Sequence, residues 1–293
     1  MLFEILLWAI IIASIAAIFL KRMSAVQILV LAILLTFGVQ IASLFIDGRD
    51  VASFWGLYTG NFKLSTLFSF ISSMYLHGSI LHLIGNVLFF FFLGTALEEK
   101  SGKRTLITAF FAGGVAASCV HWLLNLHSPT ILIGASGAIS AVMGTLLIMH
   151  PKEKTPMLLG PLILSKVPVW LSVGIFFAFE TIMVFVSSQD NIAHEAHVAG
   201  LVFGIAYGGL LLTANKGKKA KITPAGARRI DELATDEHTK KAVDNIRSDD
   251  PESVFNAWIE HLEKRGKCPD CQSPLVAKGD TLECTLCKAR FHL

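Results

Sequence analysis

Apolar residues along this chain run in long unbroken blocks instead of alternating with polar ones. A helix needs about 20 mostly apolar residues to cross the hydrocarbon of a bilayer. Seven blocks qualify, at about 2–20, 26–46, 69–97, 105–125, 131–150, 167–188 and 192–214. The third is longer than one span and holds His77, His82 and Asn86, so its first part is expected to be loop or helix end. The first block does not read as a cleaved signal. Glu4 sits where a basic region belongs, and Lys21-Arg22 follow where small residues would mark a cleavage site. It is expected to be a retained helix.

Positive charge gathers in alternate connections. Lys21-Arg22, then Lys100, Lys103 and Arg104, then Lys152, Lys154 and Lys166, and finally Lys216, Lys218, Lys219 and Lys221 lie on one side of a serpentine chain. Short basic loops stay cytoplasmic, so the N-terminus is predicted outside and the C-terminus inside. Glu98 and Glu99, at the inner end of the third span, are expected to cap or to pair locally with Lys100, Lys103 or Arg104.

Composition sharpens the picture. Of 293 residues, 53% are hydrophobic and 16% charged, with 21 Phe against 3 Tyr, where a soluble domain carries about 25% charge. A disordered chain and an ordinary soluble enzyme are excluded. A formal charge of +3 is too small to argue for nucleic acid. After residue 215 the character changes. Residues 216–267 hold 12 Lys and Arg against 10 Asp and Glu. Asp250-Pro251-Glu252 has the form of a helix start. Val254, Phe255, Trp258, Ile259 and Leu262 then recur at helical spacing, predicting an amphipathic helix over 251–265. The rest of 216–250 reads as linker or short helix.

The last 26 residues hold four of the five cysteines. Cys268 and Cys271 form one CxxC pair, and Cys284 and Cys287 a second. Two such knuckles complete a tetrahedral four-cysteine site with no open position, which suits a structural zinc. Gly279-Asp280 is a candidate hairpin turn between them, and Leu282 and Phe291 a candidate core. A piece this short cannot bury enough apolar surface to fold alone, and the metal would supply the deficit. The nearly balanced charge of 267–293 argues against nucleic acid and for an unidentified cytoplasmic partner.

Polar and ionisable residues inside spans are functional suspects. His82 and Asn86, four apart, share one helix face and could donate hydrogen bonds to a developing negative charge. Gly134-Ala135-Ser136-Gly137 leaves a serine sterically open, and a helix starting there would present unpaired N–H groups to an oxyanion. Ala196-His197-Val198-Ala199-Gly200 opens a run in which Gly200, Gly204 and Gly208 lie on one bare face. A neighbouring helix with small residues, such as Gly137, Ala141 and Gly144, could approach that face closely. It would bring a serine to a histidine, a minimal nucleophile and base. Glu180 is expected to be a buried, hydrogen-bonded carboxyl or to face a loop end.

His82-x-x-x-Asn86, Gly134-Ala135-Ser136-Gly137 and Ala196-His197-x-x-Gly200 resemble, in order and spacing, the motifs of rhomboid intramembrane serine proteases, over about 26–214. The resemblance implies an all-α, multi-pass membrane protein with a six-helix core. One extra N-terminal transmembrane helix would precede that core, and a small β zinc ribbon would follow it. The expected division is 1–25 for the extra helix, 26–215 for the core, 216–266 for the charged linker and 267–293 for the ribbon. Ser136 would be the nucleophile and His197 its base, a pair without an acidic third member. His82, Asn86, Gly134 and the Ser136 N–H would serve the oxyanion, and the chemistry needs no cofactor. The loop 47–68 would dip into the membrane, and 189–193 would cap the site. Substrates would be single-spanning proteins cut near the outer end of their helix, in a bacterial or archaeal cell membrane. The alternative is an inactive rhomboid-like protein that binds membrane clients.

Three departures from the family pattern stand out. Ser140 occupies a position where many members place an aromatic ring against the histidine, which predicts a less firmly held His197. Phe54-Trp55-Gly56 is only a loose match to a Trp-Arg pair in the outer loop. His194-Glu195 precedes His197 without forming the zinc-protease HExxH spacing. Asp190 is a further candidate for orienting His197.

Overall fold

A computed structural model of the chain describes all residues except 1, 21–22, 61, 160–161, 187–191, 218–231, 247–251, 270, 279–280, 287–288 and 293. Lys21-Arg22, Lys218, Lys219, Lys221, Asp190, Asp250-Pro251, Gly279-Asp280 and Cys287 therefore lie outside the described residues. The chain divides into two compact units, Met1–Ala214 and Asn215–Leu293.

The first unit is a helical bundle. Its helices are α1 (Leu2–Ile18), α2 (Ala25–Asp47), α3 (Val51–Trp55), α4 (Thr66–Ser72), α5 (Ile80–Ser101), α6 (Lys103–Leu124), α7 (Ser136–Met149), α8 (Val169–Val186) and α9 (His194–Gly217). Five of these, α2, α5, α6, α8 and α9, are long and apolar enough to cross a membrane, while α1 and α7 are shorter apolar helices. The two apolar blocks that start late do so for local reasons. The third does not become α5 until Ile80, because Ser79 accepts from the His82 N–H and caps the helix there. The segment ahead of it folds into α4 and a 3-10 turn, Ser73–Tyr75. The fifth becomes α7 only at Ser136, because β2 (Ile131–Leu132) is drawn out as a strand against β1 (Leu57–Tyr58).

The loop between α2 and α4 carries exposed Phe54, Phe62 and Leu64. It is tied down where Ser72 Oγ donates to the Trp55 carbonyl at 2.6 Å. A hairpin, β3 (Lys154–Leu159) and β4 (Leu162–Pro168), joins α7 to α8; the sequence pattern gave no sign of it.

α1 packs onto the core. Leu7 and Ile11 are buried, Trp8 meets Trp55 edge-on at 5.2 Å, and Ser14 Oγ lies 3.2 Å from the Tyr75 hydroxyl. Two charged residues secure its junction with α2. Lys103 Nζ donates to the carbonyls of Ile18, Leu20 and Met23, where the C-terminal end of a helix favours a cation. Glu98 accepts from Ser24 Oγ at 2.6 Å, from the Ala25 N–H at 2.8 Å and from the Val26 N–H at 3.1 Å. Glu98 thus caps the start of α2, some 70 positions back, instead of acting locally, while its neighbour Lys100 pairs with Glu153 at 3.1 Å.

The second unit holds α10 (Glu237–Ile246), α11 (Glu252–Arg265) and a three-stranded antiparallel sheet of β5 (Leu275–Lys278), β6 (Thr281–Cys284) and β7 (Arg290–His292). Asp236 Oδ1 accepts from the Thr239 N–H at 2.8 Å, and Thr239 Oγ1 accepts from the Asp236 N–H at 3.0 Å. This reciprocal cap starts α10 and holds the exposed Asp236 carboxyl below its ordinary pKa. Val243, Ile259 and Leu262 from the helices share one core with Leu275, Leu282 and Phe291 from the sheet.

Candidate active site

The site is assembled at the start of α7, which is buried along its length from Ala138 to Leu146. Glycine makes that burial possible. Methyl groups at Gly200 and Gly204 of α9 would overlap the carbonyl oxygens of Gly137 and Ala141, and one at Gly208 would meet Ile148 at 3.0 Å. The small stripe therefore lets α9 lie backbone-to-backbone on α7, and Thr145 Oγ1 bonds across the seam to the Gly204 carbonyl at 3.2 Å.

This seam brings His197 to Ser136, with Nε2 2.7 Å from Oγ. The other ring nitrogen, Nδ1, lies 2.8 Å from Glu180 Oε2 on α8. His194 Nδ1 approaches the same oxygen at 2.6 Å. The Glu180 side chain is 7% exposed and that of His197 12%. One turn before Glu180, Phe176 sets its ring 6.2 Å from that of His197, tilted by 37°. Ser140 instead turns inward and donates to the Ser136 carbonyl at 2.9 Å. An aromatic partner for His197 is therefore present, contributed by Phe176 of α8 and not by position 140 of α7. Phe176 drew no notice in the sequence, because a phenylalanine four residues from a lone glutamate looks like ordinary span composition.

The residues expected to serve an oxyanion fall on the same side. Gly134 has φ +124°, a conformation L side chains rarely adopt. A Cβ there would lie 2.8 Å from His82 Nε2 and 3.7 Å from Ser136 Oγ, so only glycine lets the His82 ring approach the serine turn. The Gly134 N–H donates to the Ser73 carbonyl at 2.8 Å, fixing the turn. Asn86 is buried, and its Nδ2 donates to the His82 carbonyl at 3.0 Å. An amide nitrogen has two hydrogens, so one remains for another acceptor. Ser136, Gly137 and Ala138 stand in the first turn of α7, where N–H groups have no intrahelical acceptor.

Glu195 faces away from this centre. Its Oε1 lies 2.7 Å from His121 Nδ1 and accepts from Asn125 Nδ2 at 3.2 Å. His121 is buried there. Asp190, the further candidate for orienting His197, lies outside the described residues.

Two clusters among the described residues could hold a metal ion: Glu180, His194 and His197, and Cys268, Cys271 and Cys284. In the second, Cys271 and Cys284 sulfurs lie 3.4 Å apart, and none of the three is in a disulfide. Tight turns support them. The Gln272 N–H bonds to the Cys268 carbonyl at 2.8 Å, and the Cys284 N–H to the Ala289 carbonyl at 2.9 Å.

The Rhomboid domain model matches residues 64–214, just over half of the chain. The chain belongs to the rhomboid family. It is 30% identical over 166 residues to Rhomboid protease GlpG of Serratia proteamaculans, covering 54% of this chain and 53% of that one. It is 27% identical over 156 residues to RHOMBOID-like protein 12, mitochondrial, of Arabidopsis thaliana, covering 48% and 45%. It is also 27% identical over 184 residues to Rhomboid-like protein 11, chloroplastic, of the same plant, covering 59% and 61%. The chain spans about half the length of the curated relatives it matches. In this rhomboid, a multi-pass membrane protein, the matched segment contains Ser136, His197, His82, Asn86 and Glu180 together.

Proposed function

We propose that this rhomboid is an intramembrane serine endopeptidase that cuts single-spanning membrane proteins near the outer end of their helix. The observation that carries the reading is the 2.7 Å approach of His197 Nε2 to Ser136 Oγ at the first residue of α7. Ser136 Oγ attacks the scissile carbonyl carbon while His197 Nε2 takes its proton. The oxyanion so formed is met by the Ser136 N–H, His82 and Asn86, beside Gly134. His197 then passes the proton to the departing amine nitrogen as the C–N bond breaks. Water, deprotonated by His197, releases the acyl group from Ser136. Cleavage requires the substrate helix to unwind, since its peptide bonds are otherwise hydrogen bonded, so small residues and helix breakers near the cut are favoured.

The same reading places the C-terminal unit in the cytoplasm, where reducing conditions keep thiols available. Zinc bound by Cys268, Cys271, Cys284 and Cys287 would be structural, with all four positions filled by protein. The three described sulfurs, their lack of disulfides and their turn geometry fit that metal. Metal analysis of the purified protein should return about one zinc per chain.

The direct test is a fluorescent fluorophosphonate, which labels only an activated serine. Labelling of wild type that vanishes in both Ser136→Ala and His197→Ala is the expected outcome. A folded wild type that stays unlabelled in both detergent and lipid would overturn the reading and favour a non-proteolytic client-binding role.

A further inference from the structure

We propose that Glu180 is a positioning residue for His197, so that the site works as a chain of three, Ser136–His197–Glu180, with His194 holding the carboxylate in place. The proposal rests on the protease reading above and deepens it.

A carboxylate only accepts hydrogen bonds. Glu180 Oε2 lies 2.8 Å from His197 Nδ1 and 2.6 Å from His194 Nδ1, so both nitrogens carry their hydrogen toward it. For His197 this decides the tautomer. With the proton on Nδ1, Nε2 keeps its lone pair and faces Ser136 Oγ at 2.7 Å as an acceptor. That is the arrangement a general base needs, and without a partner at Nδ1 the ring is free to hold the other tautomer.

When the serine proton arrives on Nε2, the imidazolium carries a positive charge in a poorly solvated setting, and the buried negative charge of Glu180 offsets it. Glu180 keeps its protonation state throughout: the proton moves from Ser136 Oγ to His197 Nε2 and later to the leaving nitrogen. A carboxylate inside a span is costly unless paired. The shared contact with His194 supplies a second donor to the same oxygen and locks the glutamate rotamer. Phe176 and Glu180, four residues apart on α8, therefore contact His197 from one helix face, ring and carboxylate together.

The test uses full-length protein in lipid nanodiscs and the saturation kinetics of fluorophosphonate labelling, with thermal unfolding measured on each variant. Glu180→Gln keeps the shape and loses the charge. Its maximal labelling rate should fall about 100-fold or more, with the half-saturating probe concentration unchanged. Glu180→Asp should recover to within about tenfold of wild type, and His194→Ala should lose less than Glu180→Gln. Wild-type labelling by Glu180→Gln overturns the proposal while leaving the protease reading intact. Equal losses in Glu180→Gln and Glu180→Asp, accompanied by a lowered unfolding temperature, overturn it in favour of a structural carboxylate. Faster wild-type labelling after EDTA overturns it in favour of a metal held by Glu180, His194 and His197. An unlabelled wild type overturns both readings together.

Discussion

Gly204→Ala isolates the helix seam from the chemistry. A methyl group at this position would stand 2.8 Å from the Ala141 carbonyl carbon and 2.9 Å from the Thr145 nitrogen, and would overlap the Ala141 oxygen. Ordinary contact begins near 3.4 Å, so the Ala141 carbonyl carbon alone demands that α7 and α9 part by about 0.6 Å, the difference between 3.4 Å and 2.8 Å, and the overlapping oxygen demands more. All three atoms are backbone and cannot rotate away. Overpacking of this kind costs about 1–3 kcal/mol. Ala gains at most about 1 kcal/mol over Gly in helix propensity, so the clash wins. His197 lies two turns away, and a comparable shift there would stretch its 2.7 Å contact with Ser136 toward the limit of a hydrogen bond. A misplacement near 1 Å can cost about 100-fold, so about tenfold slower fluorophosphonate labelling is expected, with a lowered unfolding temperature. Gly209→Ala is the control, since nothing lies within 4 Å of a methyl there; it should be neutral or slightly stabilising. If Gly204→Ala matches Gly209→Ala in both rate and unfolding temperature, the close-packed seam does not position His197.

Gly134→Ala forces a side chain into φ +124° and onto the His82 ring. It should slow labelling about 100-fold, with strain of about 1–3 kcal/mol visible as a lowered unfolding temperature. Glu98→Ala removes three hydrogen bonds at the start of α2 and should destabilise the first unit by about 1–3 kcal/mol in reversible unfolding, with little change in labelling per folded molecule. Chelation of the proposed zinc should raise amide hydrogen exchange in β5, β6 and β7 while leaving α5 to α9 protected; unchanged exchange would show that the ribbon does not depend on metal.

The spans were legible because lipid demands long apolar blocks, and the α7–α9 seam was legible because three glycines at every fourth position can only be a packing face. Three features escaped the sequence. The β3–β4 hairpin was hidden because Lys154 and Lys166, which lie within its strands, marked a loop, while the apolar residues between them left no clear alternation. Glu98 stood beside Lys100, Lys103 and Arg104, and nearby opposite charge is more visible than an amide 70 positions away. The partnership of Glu180 with His197 depends on how α8 and α9 cross, and no spacing along the chain encodes a crossing angle. Phe176 reaches the His197 ring through that same crossing.

The shortness of α7 bears on how water would reach a bond inside a membrane under the proposed protease function. Fourteen residues make a helix of about 21 Å, against about 30 Å of hydrocarbon. The missing stretch of about 9 Å corresponds to residues 131–135, non-helical backbone in which Ile131–Leu132 pair with Leu57–Tyr58 and the Gly134 N–H donates to the Ser73 carbonyl. Non-helical backbone at such depth is tolerated where protein surrounds it or water wets it. Because α7 is enclosed by its neighbours, the shortfall is met by protein and not by lipid, and it falls at the Ser136 end of the helix. Under the proposed protease function, a substrate segment and the water that hydrolyses it would both meet Ser136 at that end of α7, among protein groups and not among lipid tails.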